Sequence, residues 1–139
     1  MADTKIGASA LDAQLNYIVT NTNKIAIVEN FLRSDTYAQT DTKVIAEQAT
    51  IGGLFGSITN NLDAPGDTNA PNRRLAVNAI ELDPAGTTAT GDLSLVLMDS
   101  DNSEVLANND ETSDRDVETN DVMTTWAFYI QANQPTTAA

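Results

Sequence analysis

Apolar residues fall convincingly at helical spacing once in this chain. Leu11, Leu15, Ile18 and Val19 share one helical face, with Gln14 and Asn16 off it. Ser9 offers an N-cap hydroxyl, and Asp12 follows three residues on, in a capping-box-like position at the positive helix end. Thr20-Asn21-Thr22-Asn23 ends the helix, because short polar side chains compete for the backbone. A helix of about three turns is unstable alone, so it must pack on something.

The rest of the pattern is strand-like. Lys24 to Glu29 is short, β-branched and bounded by Asn-rich segments. Both of its faces are apolar, Ile25 and Ile27 on one and Ala26 and Val28 on the other, so the strand is expected to be covered on both sides, one of them by the preceding helix. Phe31, Leu32 and Tyr37 are apolar anchors. Lys43 to Ala46 fits a strand or a short helix, with Asp41 placed to cap the latter. Ile51 to Gly56 holds three glycines and predicts a turn or bulge beside the core. The stretch 60–72 is rich in Asn, Asp, Pro and Gly and predicts an exposed loop.

Strands are clearer in the second half. Arg73 to Leu82 places Leu75, Val77 and Ala79 on one face. Asp83-Pro84-Ala85-Gly86 predicts a turn, and Thr87 to Asp92 a Thr-rich strand. Ser94 to Met98 is the best candidate for a buried strand. It returns through the polar turn 99–103 into Glu104 to Ala107, a β-hairpin. Residues 108–121 predict an acidic loop. From Val122 to Ala132, Trp126, Phe128 and Ile130 alternate with Thr125, Ala127, Tyr129 and Gln131, which predicts a final strand across the core. The fold class expected is mainly β: an antiparallel β-sandwich or flattened barrel with one short N-terminal α-helix packed against it. It is expected as a single domain over 9–132, with an N-terminal arm at 1–8 and a polar tail at 133–139.

Composition narrows the chemistry. Among 139 residues there is no Cys and no His, which removes thiolate chemistry, disulfides, the usual general base and the usual transition-metal ligand. Seven Lys and Arg against twenty Asp and Glu give a net charge of −13, which argues against partnership with nucleic acid or an anionic membrane. No apolar run is long enough to span a bilayer, and Met-Ala-Asp-Thr-Lys does not resemble a secretory signal. No cofactor is implied, and the expectation is a soluble protein that is not an enzyme.

Three constellations carry candidate chemistry. Asp99, Asp101, Ser103 and Asp110 loosely follow calcium-loop spacing, but Glu104 stands where that loop needs Gly and Asp110 where it needs Glu. A hairpin turn is the simpler reading, with weak calcium binding at Asp99 and Asp101 as the alternative. The acidic run 110–121 reads as a solvated loop or, alternatively, a site for a divalent ion or a partner. Arg73-Arg74 is the one adjacent basic pair. It reads as two exposed arginines or as a docking point for an acidic partner surface.

Several segments are similar to a known family. Ala10-Leu-Asp-Ala-Gln-Leu-Asn-Tyr-Ile18, Thr22-Asn-Lys-Ile-Ala-Ile-Val28 and Thr36-Tyr-Ala38 resemble the opening of small virion-associated proteins of tailed bacteriophages, of the head-decoration or cement kind. Asn72-Arg-Arg-Leu-Ala-Val77, Thr88-Ala-Thr-Gly91, Ser94 to Ser100 and Glu104-Val-Leu-Ala107 resemble later strands of that family. Ser94-Leu95 departs from a Trp-Ala that the family tends to carry, and the loop at 108–121 is more acidic.

The resemblance implies a structural virion protein on the outer surface of the capsid. Its partner would be the major capsid protein, and its copies would self-associate on the shell, with a trimer suited to threefold positions. Arg73 and Arg74 are then candidate capsid contacts. The alternatives are a tail or head–tail joining protein, or a small glycan- or calcium-binding module. The glycan reading gains if Tyr129 is exposed beside other rings.

Overall fold

The computed structural model describes residues 6–61, 71–111 and 115–134. The chain is mainly β, with two antiparallel sheets and an N-terminal helix in a sandwich-like arrangement. The elements in chain order are α1 (Ala8–Asn21), β1 (Lys24–Glu29), α2 (Tyr37–Asp41), β2 (Val44–Gln48), β3 (Phe55–Asn61), β4 (Asn72–Val77), β5 (Leu93–Asp99), β6 (Glu104–Asp110) and β7 (Phe128–Ala132). One sheet has the order β2-β1-β5-β6 and the other β3-β4-β7.

The central strands of the four-stranded sheet, β1 and β5, are buried on both faces, which is why they read as continuous apolar runs. The sheet's inner face (Ile25, Ile27, Leu93, Leu95, Leu97) joins Leu54, Val77, Leu82, Val117 and Met123 in the main core. Its outer face (Ala26, Val28, Val96, Met98) lies under Phe31, Tyr37, Val44 and Val105. The cover on that outer face is therefore the segment after β1, and the expectation that the preceding helix supplies it is corrected. Helix α1 lies on the three-stranded sheet, against β4, β7 and β3. Leu11 and Leu15 pack there with Leu75 and Ala132. The link to β1 is only Thr22-Asn23, and Asn23 N–H donates to Met98 O at 3.1 Å. The helix C-terminus is thereby pinned beside the four-stranded sheet, where Ile18 packs on the main cluster.

Local chemistry sets the other departures. Gly7, and not Ser9, occupies the N-cap of α1, and no side chain caps it. Asp12 is used elsewhere, as described below. Of residues 43–46, Val44 to Ala46 lie in strand β2, and Asp41 ends a short helix before them. That helix carries a signal left unused in the sequence: Thr36 and Gln39 form a reciprocal capping box. The strand expected over 73–82 stops at Val77, because Asn78 turns back. Its N–H donates to Leu54 O at 2.7 Å and its side-chain amide to Gly53 O at 3.0 Å. Ala79 is consequently exposed.

Asp83 to Gly86 is not a free turn. Asp83 and Gly86 N–H groups donate to Glu47 and Ile45 carbonyls of β2, and Ala85 N–H donates to Asp121. The segment therefore covers the open edge of β2. Among the described glycines, the positive φ falls at Gly53 (80°) and not at Gly86. In 87–92 only Ala89 pairs, through a bridge to Val117. The final strand is regular from Phe128 alone. Before it, Thr125 is buried and bonds Ile80 twice, its N–H donating to the carbonyl and its hydroxyl oxygen accepting from the N–H. Asn108 to Asp110 belong to β6, and Asn60, Asn61 and Asn72 to strands, where loops were expected. Residues 62–70 and 112–114 of those expected loops lie outside the described residues.

Candidate functional site

The alternation of β4 sends the two adjacent arginines to opposite faces of its sheet. Arg73 shares its face with Leu75 and points to α1. Its Nε donates to Asp12 Oδ1 at 2.7 Å and an Nη to Oδ2 at 3.1 Å, while the other Nη donates to Asn60 Oδ1 at 2.6 Å. This forked pair ties the helix to the sheet, and the bond to Asp12 holds the guanidinium pKa even higher than usual. Arg74 faces outward, its guanidinium carbon 4.1 Å from the centroid of the Tyr129 ring. The two residues do not form a joint basic point: Arg73 is a tie within the fold, and Arg74 belongs to the outer surface.

Tyr129 is 52% exposed, but the neighbour across its ring face is Arg74 and not a second aromatic. Trp126 is half-buried on the main core, its indole N–H donating to Asn109 Oδ1 at 2.6 Å.

Asp99 is the pivot of the β5–β6 turn. One carboxylate oxygen accepts from the N–H groups of Asp101 and Asn102 at 3.0 and 3.2 Å, and the other from the Asn102 amide at 2.7 Å. The Asn102 amide first, and the two N–H groups with it, hold its pKa below the usual carboxylate range against the opposing effect of burial. The acid at 99 is thus engaged by its own turn, and Ser103 takes the positive φ (52°) that closes it. Among the described residues no group of three or more acidic side chains is arranged to hold a metal ion.

Other cations are also held by carboxylates. Lys24 bridges Asp41 and Glu47, each at 2.8 Å. Burial pulls its pKa down, and those two bonds outweigh it and raise it above the ordinary lysine value. Lys43 meets Asp35 at 2.7 Å and Arg115 lies 3.6 Å from Glu111. A surface depression of about 310 Å³ is lined by Glu29, Lys43, Thr87 and Thr88 among others. Its charged groups are spoken for, since Glu29 also accepts from the N–H groups of Thr90 and Gly91 at 2.9 and 2.7 Å. Exposed carboxylates remain at Glu81, Asp83, Asp116, Glu118 and Asp121.

One corner of the three-stranded sheet brings together Ile6, Asn61, Asn72 and Gln134. The Gln134 side chain accepts from Ile6 N–H at 2.8 Å and donates to Ile6 O at 2.7 Å, as a strand partner would. Gln134 N–H donates to Asn72 Oδ1 at 2.6 Å, and Asn72 pairs with Asn61. The described residues that border 1–5, 62–70 and 135–139 therefore meet at this corner. No local pattern signals the meeting, because Gln134 bonds Ile6 across 128 residues. No protein-family model, no curated protein and no solved structure matches this chain.

Proposed function

We propose that this chain is a structural protein of a tailed-phage head, a decoration or cement protein that binds the outer capsid surface and bridges neighbouring major capsid subunits. The resemblance of its α1, β1, β4 and β5–β6 segments to that family supports the reading. The corner where Ile6, Asn61, Asn72 and Gln134 meet is the observation that carries it. Contacts made at this one corner and repeated over a shell gain strength through multivalency.

Charge supports the same role. With Lys24, Lys43 and Arg73 held by carboxylates of the fold, a net charge of −13 is presented to solvent and repels nucleic acid. Binding many copies to the assembled shell stabilises it by mass action.

Deletion of residues 1–5, of 135–139, and of both tests the proposal. The deletions stop short of Ile6 and Gln134, whose mutual bonds belong to the fold. Association with undecorated shells is expected to weaken stepwise, with the melting temperature of the free chain nearly unchanged. Undiminished binding by the double deletion contradicts the proposal.

A further inference from the structure

Sheet edges are templates for further strands, and proteins blunt them with charges, bulges, prolines or covering segments. Three of the four edges here are blunted. β2 is covered by the 83–86 segment, through two backbone hydrogen bonds. β6 begins and ends with an acid, Glu104 and Asp110, and is bulged opposite Leu97 and Met98. β3 is bulged between Phe55 and Ile58.

β7 is the exception. It pairs with β4 in unbroken register from Val77↔Phe128 to Arg73↔Ala132. It contains no proline and no charge, and no side chain from 122 to 139 is charged in a chain of net −13. Among the described residues, β4 alone exchanges backbone hydrogen bonds with it. Its exposed side chains, Tyr129 and Gln131, lie on the outer face beside Arg74.

We infer that β7 pairs with β7 of a second copy of this chain, antiparallel about a twofold axis, giving a continuous six-stranded sheet. Charge selects this occupant. A basic partner is steered toward the acidic surface around Glu81, Asp83, Asp116 and Asp121, away from an uncharged edge. Two copies repel wherever their acids meet, and the β7 edge, which carries no acidic side chain, lets them touch without that repulsion. The twofold also makes the contact self-complementary, each strand offering the other the same row of donors and acceptors. The inference gives the proposed self-association a specific surface and a twofold in place of the trimer expected from threefold positions. It is tested on the isolated chain, so its failure leaves shell binding to be judged by the arm deletions.

Sedimentation equilibrium across micromolar to millimolar concentration is expected to show a mass rising from 14.8 kDa to twice that value. Hydrogen exchange at the dimeric end is expected to slow at residues 128–132 and not in β3 or β6. Gln131→Lys, on an exposed side chain opposite Arg74, is expected to weaken the dimer about tenfold by crowding like charges into each symmetric contact. Mixing the Gln131→Lys and Gln131→Glu variants is expected to recover it, and Thr59→Glu on β3 to leave it unchanged. A chain that stays monomeric throughout overturns the inference. So does a dimer indifferent to Gln131→Lys, or one whose protection appears at another edge.

Discussion

Removing the Arg73–Asp12 tie separates two roles that the sequence had joined. Arg73→Gln or Asp12→Asn breaks two charge-assisted bonds between β4 and α1. Such bonds are each worth roughly 1.5–3 kcal/mol when well shielded. Here the side chains are 18% and 25% exposed, so water competes and the pair is set at about 1–2 kcal/mol in all. For a domain of this size that lowers the melting temperature by roughly 3–8 °C. Thermal unfolding of both single variants and the double variant gives a coupling energy expected near 1 kcal/mol. Additive single effects refute the assignment. The functional corollary is that Arg74→Glu probes shell contact without touching the α1 tie. It is expected to lower shell affinity in a salt-dependent way, whereas Arg73→Glu also loosens α1.

Three further outcomes follow from local geometry. Gly91→Ala places a Cβ 3.0 Å from Asn30 Oδ1 and 3.1 Å from Glu29 Oε2, against a clasp of backbone bonds, and is expected to cost about 1–2 kcal/mol in chemical denaturation. Trp126→Phe keeps the ring on the core but loses the bond to Asn109, a cost expected at about 1 kcal/mol, and Trp126→Ala is expected to cost about 2–4 kcal/mol because the ring is half-buried. Asp99 and Asp35 have pKa values lowered by the Asn102 amide and by Lys43 respectively, so the unfolded chain takes up protons first on acidification. Their stabilisation is complete above the ordinary aspartate pKa of about 4 and is lost as pH falls through the lower folded values. Denaturation midpoints followed into acid are expected to fall less steeply in Asp99→Asn than in the parent chain.

Local patterns carried the elements whose burial is repetitive. Leu11 and Leu15, the β1 run and the β5–β6 hairpin all resolve as their pattern predicts, because their burial is either periodic along one face or continuous along the strand. The segments 78–92 and 117–127 were not legible. Their backbone groups are satisfied by each other and by β2, at bridges such as Glu81↔Thr124 and Ala89↔Val117, and no side-chain period records such pairing. The position of α1 was illegible for a similar reason. An amphipathic face says that a helix packs, and only the distant pairings of Asp12 with Arg73 and Leu15 with Leu75 say where. At the candidate site, Arg73-Arg74 reads as one basic pair in sequence and divides in space, since neighbouring strand residues face opposite ways. The corner at Gln134 depends wholly on contacts between the two ends of the chain.

The central claim is decoration of a capsid, and stoichiometry tests it most directly. Quantitative mass spectrometry of purified virions, with peptides of this chain counted against those of the major capsid protein, gives the copy number. The account predicts a fixed ratio of the order of one copy per capsid subunit, or a simple fraction of it. A few copies per particle, as a tail or joining protein would show, or none at all, contradicts it.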